Sequence, residues 1–208
     1  MKTAEIIPMQ SAPKEKQTPN PSWAFNLDPV HSWAYWDKAF TQEECKRIIE
    51  IGNNRTQKQA TTHNNDKDNV RKSKVAWLYP SDDMEWVYRR MTDIITDLNN
   101  RFFQFDLFGA TEGFQFTKYQ APGGKYGKHI DSSPGTLIRK LSFTLQLSKP
   151  EDYKGGDLVL YLGDKPETMK REQGFVALFP SYVLHEVKPV TDGTRYSLVS
   201  WITGKPFK

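Results

Sequence analysis

Cysteine is almost absent: Cys45 is the only one in 208 residues. A single thiol excludes an intrachain disulfide and a cysteine-rich zinc site. No apolar run approaches the roughly 20 residues that a membrane-spanning helix needs. The opening stretch "MKTAEIIPMQSAPKEK" also lacks the apolar core of a secretory signal. The expectation is therefore an intracellular, cytoplasmic protein with no membrane partner. A strong charge of one sign is missing as well. Lys and Arg total 29 against 25 Asp and Glu, a net +4, too small and too dispersed to argue for nucleic-acid binding. Histidine is scarce, limited to His31, His63, His129 and His185.

What is present suits one domain with a sizeable core, since 37% of the residues are hydrophobic and 13% are aromatic. Residues 1–22 hold Pro8, Pro13, Pro19 and Pro21 among polar neighbours, a composition that buries little and reads as a flexible, proline-rich tail. The domain is expected over residues 23–208. "FTQEECKRIIEIG" has the capping-box pair Thr41 and Glu44, an apolar face of Cys45, Ile48 and Ile49, and an expected stop at Gly52. A second helix is expected from near Ser81, where Met84, Val87, Met91, Ile94, Ile95, Leu98 and Phe102 recur at helical spacing. Beyond Phe102 the period changes to short alternating or apolar runs, among them "GFQFTKYQ", "KLSFTLQLS", "GDLVLYLG", "YVLHEVKPV" and "RYSLVSWITG". Two helices followed by seven or eight short strands predict an α+β layout with an antiparallel sandwich or barrel.

The stretch "KYGKHIDSSPG" sets His129 and Asp131 two residues apart, which in a strand puts them on one face. Such a pair can be a surface pair, a catalytic pair or two ligands of one metal, and alone it does not decide among them. His185, in "FPSYVLHEV", adds a third candidate. Two histidines and one carboxylate on one face of an iron atom leave positions open for an oxidant and a cosubstrate, and this set fits that geometry. Arg195 follows on the next expected strand, where alternation sends Arg195, Ser197, Val199 and Trp201 to one face. An arginine turned into a barrel is costly unless an anion meets it, and its planar fork suits a carboxylate.

With these pieces in place, the chain resembles Fe(II)- and 2-oxoglutarate-dependent oxygenases of the prolyl 4-hydroxylase type, above all the PKHD-type hydroxylases. The matching stretches are "VRKS", "YQAPGGKYGKHID", "LSFTLQLS", "YKGGDLVLY" and "FPSYVLHEVKPVTDGTRYSLVSWITG". The resemblance implies a double-stranded β-helix (jelly-roll) core flanked by N-terminal helices, forming a dioxygenase domain. It implies Fe(II) on His129, Asp131 and His185, and 2-oxoglutarate held by Arg195 with Tyr119 and Gln146 beside it. Many relatives carry Tyr where this chain has Gln146. The implied reaction consumes O2, releases succinate and CO2, and draws on ascorbate to keep the iron reduced. A protein or peptide substrate hydroxylated at proline is expected, with Arg71, Trp77, Tyr126 and Trp201 around its groove. Same-chemistry action on a free amino acid, another small molecule or nucleic acid is the alternative, followed by a non-catalytic metal-binding β-sandwich. Against nucleic acid stands Trp201, at the position where alkylation-repair oxygenases carry a second arginine. Gly155 and Gly156 read as a tight turn into a strand.

Overall fold

A computed structural model describes residues 30–60, 70–81, 83–132 and 138–206. The expected tail over 1–22 and the polar loop "HNNDKDN" lie outside the described residues. The described chain begins with β1 (Ala34–Trp36) and α1 (Gln42–Asn53), then passes through β2 (Lys58–Gln59), β3 (Arg71–Lys72) and β4 (Lys74–Leu78) to α2 (Glu85–Leu98). The β region follows as β5 (Leu107–Gly109), β6 (Phe114–Gln120), β7 (Gly124–His129), β8 (Arg139–Gln146) and β9 (Tyr153–Gly155). It ends with β10 (Leu158–Tyr161), β11 (Pro166–Thr168), β12 (Val176–Pro180) and β13 (Leu184–Gly204).

Both helices follow their sequence signals closely. Thr41 Oγ1 accepts from the Glu44 amide at 3.2 Å, and the Glu44 carboxylate accepts from the Thr41 amide at 2.9 Å, closing the capping box. The expected stop at Gly52 is one residue early, because α1 runs to Asn53. Gly52 is there for packing: a Cβ on it would run into the Phe116 ring. The regular turns of α2 begin at Glu85 rather than Ser81, whose carbonyl accepts from the amides of Met84 and Glu85 in a preceding turn. At the other end a π-helical turn over Asn99–Phe103 shifts the register by a residue. Phe103 is consequently buried, while Phe102, expected on the apolar stripe, is only half-buried.

The major sheet runs β1-β12-β8-β13-β6-β4-β2, with antiparallel neighbours throughout. The second layer is β11-β10-β13-β7-β3, with β9 also on β13. The strand β13 belongs to both layers. Its first half lies between β10 and β7, and its second half between β8 and β6. "YVLHEVKPV" and "RYSLVSWITG" are therefore one 21-residue strand rather than two. The intervening Asp192-Gly193 does not end it, since both residues pair with β9 and Gly193 takes the bend at φ +70°. This architecture is the expected jelly-roll.

Period-2 alternation divides the core in two. Val176 and Leu178 of β12 and Leu141, Phe143 and Leu145 of β8 pack with α1 and α2. From the other face of β12, Ala177 and Phe179 join Leu158, Leu160, Val187 and Val190 in a second cluster between the layers. The matching inner positions of β8 are Ser142, Thr144 and Gln146, all buried. On β6 they are Gln115, Thr117 and Tyr119, and on β13 Arg195 and Ser197. A buried polar lining costs stability unless it is hydrogen-bonded or meets a ligand. It marks where the site lies.

Candidate metal centre

His129 ends β7 and sits directly across from His185 in β13, with their rings 4.1 Å apart. Leu160 of β10 flanks His185 on its other side. Asp131 lies past the end of β7, so strand alternation is not what aims it. Instead the amides of Asp131 and Ser132 both donate to the Ser181 carbonyl, at 2.9 and 3.0 Å, and turn the chain back. Asp131 Oδ1 then lies 3.5 Å from His129 Nε2, and Oδ2 lies 3.4 Å from His185 Nε2. One donor atom from each residue falls within 4.8 Å of the others.

The backbone fixes which ring nitrogen faces the centre. His129 Nδ1 is 2.8 Å from the Gly127 carbonyl, and His185 Nδ1 is 2.9 Å from the Val183 carbonyl. A carbonyl can only accept, so Nδ1 carries the proton and Nε2 presents its lone pair inward. Burial pushes the His185 imidazole below its ordinary pKa, with His129 adding to the effect and Asp131 opposing it. For Asp131 burial acts upward. The two imidazoles in their protonated form and the hydrogen bond from Ser142 outweigh it and hold the carboxyl well below the usual range. Two imidazole nitrogens and one carboxylate, with no thiolate among them, fit an Fe(II) ion with positions left open.

Several supporting side chains escaped sequence reasoning. Ser142 Oγ donates to Asp131 Oδ2 at 2.7 Å and lies 2.9 Å from Ser181 Oγ. Arg139 donates to the Asp131 carbonyl at 3.2 Å, grips Glu112 through two bonds of 2.7 and 2.6 Å, and lies 3.8 Å over the Trp201 ring. The alternation of Ser142, Thr144 and Gln146 in "LSFTLQLS" was the available signal. Aromatic rings close the sides: Tyr126 stacks on His129 at 3.5 Å, and Phe179 meets His185 edge-on at 4.8 Å. Burial raises the Tyr126 phenol to about 12, so it stays protonated.

The triad opens into a cleft of about 410 Å³ that also exposes Arg71, Tyr119, Tyr126 and Trp201. Arg71 is buried, donates to Gln115 at 2.6 Å and Ser73 at 3.0 Å, and lies 4.4 Å over the Tyr126 ring. Trp77 is outside this lining. It is 38% exposed on β4, with its ring 6.2 Å from Trp201. A second hollow of about 270 Å³ adjoins the cleft through the shared residues Thr144 and Leu158, and is lined by Arg195, Gln146, Tyr153 and Arg171. Arg195 is only 2% exposed, and its Nη1 has no hydrogen-bond partner among the described residues. Tyr119 lies nearby, its ring 5.5 Å from the guanidinium carbon. A buried, unpartnered cationic donor beside three metal-type ligands fits a dicarboxylate that bridges the two. Gly155 and Gly156 both take positive φ, as a tight turn requires.

Residues 114–203 match the model of the 2OG-Fe(II) oxygenase superfamily. A PKHD-type hydroxylase of Acaryochloris marina is 42% identical over 88 residues, covering 42% of this chain and 40% of that protein. One from Prochlorococcus marinus is 38% identical over 110 residues, covering 52% of this chain and 48% of that protein. The chain thus aligns with less than half the length of either relative. Among solved structures, a prolyl hydroxylase from Trichoplax adhaerens, in complex with a hypoxia inducible factor peptide fragment, superposes with a TM-score of 0.71 at 20% identity. That match covers 83% of this chain and 84% of the other. A viral collagen prolyl hydroxylase from Paramecium Bursaria Chlorella virus-1 superposes with a TM-score of 0.64 at 18% identity, covering 85% and 97%. No described helix is long and apolar enough to cross a membrane.

Proposed function

We propose that this chain, a member of the 2OG-Fe(II) oxygenase superfamily, hydroxylates a C–H bond of a prolyl residue in a protein or peptide. One observation carries the reading: His129, Asp131 and His185 converge beside a hollow whose buried Arg195 keeps a donor without a partner among the described residues. Iron held by the three ligands supplies the oxidising chemistry. One atom of O2 enters the substrate as hydroxyl, the other enters succinate, and CO2 leaves 2-oxoglutarate.

The protein's part is to bind, orient and exclude water. The Nδ1–H bonds to Gly127 and Val183 keep both Nε2 lone pairs on the metal side. Ser142 holds one Asp131 oxygen, which leaves the other for the metal. Arg195 orients the far carboxylate of 2-oxoglutarate, with Tyr119 and Gln146 lining the same region. Tyr126 and Phe179 shield the ligand rings. On the substrate side, Tyr126 and Trp201 give the cleft aromatic walls, while Arg71 and the half-exposed Trp77 shape its approach. A peptide held in extended form suits such a groove, and proline's fixed φ lowers the entropy lost on binding. Ascorbate is the proposed reductant that would keep such an iron ferrous, and the cytoplasm is the proposed compartment.

The test is a mass gain of one oxygen on proline-containing peptides incubated with the protein, Fe(II), 2-oxoglutarate and O2. Succinate should form in step with the hydroxylated product. Oxidation of a free amino acid or a nucleotide but never of a peptide would replace the peptide reading while leaving the reaction class intact.

A further inference from the structure

Gln146 and Tyr153 both line the hollow beside the metal centre as neutral candidate partners for a carboxylate, and their hydrogen bonds separate them. Gln146 Nε2 donates to the Ser148 carbonyl at 3.2 Å and to Tyr153 Oη at 3.1 Å. Its amide is therefore tied to the wall. Tyr153 stands the other way round. Its oxygen accepts from Gln146 and also from Arg171 Nε, at 3.3 Å. A phenol oxygen that already accepts two hydrogen bonds keeps one function free, which is to donate its own proton. No acceptor for that proton occurs among the described hydrogen bonds of Tyr153.

Tyr153 is 4% exposed and lines the same hollow as Arg195. The two are neighbours around Gly156: a Cβ there would come within 3.2 Å of Tyr153 Cε2 and 3.3 Å of Arg195 Cδ. Gly156, at φ +68°, therefore lets the phenol ring and the arginine stem close on one point. Arg171 also binds the Tyr153 and Gly155 carbonyls, at 2.9 and 3.2 Å, and its guanidinium lies 4.2 Å over the Tyr153 ring. The ring is thus fixed on both sides.

We infer that Tyr153, from β9, donates the neutral hydrogen bond to the far carboxylate of the cosubstrate, and that Gln146 and Arg171 are positioning residues that leave its proton free for this. The inference rests on the proposed use of 2-oxoglutarate.

The experiment measures binding of 2-oxoglutarate and of 2-oxobutyrate, which has the same chelating end but no far carboxylate, to the Mn(II)-loaded protein by calorimetry. A hydrogen bond to a charged group predicts that Tyr153→Phe weakens 2-oxoglutarate roughly ten- to a hundred-fold and leaves 2-oxobutyrate unchanged. Gln146→Leu, which frees the phenol to rotate, should give a smaller loss of the same selective kind. Equal weakening of both ligands by Tyr153→Phe would mean a merely structural role and overturn the assignment. So would unchanged discrimination in that variant. If the wild-type protein itself binds the two acids equally, the dicarboxylate reading fails, and this outcome is distinct from failure of Tyr153 alone.

Discussion

Replacing Arg195 with methionine should move stability and ligand binding in opposite directions. Arg195 is 2% exposed, and its Nη1 has no partner among the described residues. Without a ligand, a buried charge of this kind is a liability. Exchanging it for an apolar side chain of similar length should stabilise the ligand-free protein by about 1–4 kcal/mol. With 2-oxoglutarate bound as proposed, the same change removes the carboxylate's charged partner, at a cost of about 3–5 kcal/mol, or roughly a hundred- to a few-thousand-fold in affinity. Thermal melts of the Mn(II)-loaded protein read both effects. At a hundred times its Kd, 2-oxoglutarate should stabilise the wild type by about 2.7 kcal/mol, a rise of about 5–11 °C for a chain of this size. At the same concentration Arg195→Met should gain less than about 2 °C, yet melt higher than the wild type when no 2-oxoglutarate is present. A variant that melts lower without ligand would show that Arg195 has a structural partner. A fully retained ligand shift would place the cosubstrate carboxylate elsewhere.

His129→Ala, Asp131→Ala and His185→Ala should each abolish iron-dependent succinate formation while circular dichroism still reports a folded protein, because each removes one of the three proposed metal donors; substantial turnover by any one of them refutes the ligand set. Ser142→Ala should weaken metal affinity about ten- to a hundred-fold, measured by competition with a chelator, since it frees the Asp131 carboxylate to rotate; an unchanged affinity would show that Ser181 and the backbone suffice. Arg71→Ala and Trp77→Ala should lower coupled peptide hydroxylation more than uncoupled 2-oxoglutarate decay. An equal fall in both would mean that these residues act through folding or the cosubstrate.

Local signals in the sequence carried the helices and the pairing of His129 with Asp131. The capping box at Thr41 and Glu44 and the stripe from Met84 to Leu98 each depend on residues a turn or less apart, so composition and spacing suffice to place them. The same holds for the His129 and Asp131 spacing, although a turn fixed by Ser181, rather than strand alternation, aims Asp131. Non-local decisions were hidden. Gly52 looked like a helix stop because nothing nearby in sequence reveals the Phe116 ring against it. Asp192-Gly193 looked like a strand end because the pairing that carries the chain through comes from β9, some forty residues earlier.

The polar inner face of β8, β6 and β13 connects these observations. A strand buried on both faces ordinarily reads as a continuous apolar run, yet here Ser142, Thr144, Gln146, Thr117, Arg195 and Ser197 all point inward and are buried. Such a lining lowers stability, so something else must hold these strands in place. Their opposite faces do so: Leu141, Phe143, Leu145, Phe116 and Leu198 are all buried in the cluster that α1 and α2 complete. Truncating one of these residues to alanine typically costs about 2–5 kcal/mol. The division of labour is strict by alternation, one residue for the fold and the next for the site. It explains why "LSFTLQLS" looks like an ordinary amphipathic strand with a solvent-facing polar side. Its polar side faces not solvent but the cleft, and only the second layer of strands, brought over it by the first half of β13, makes it an interior.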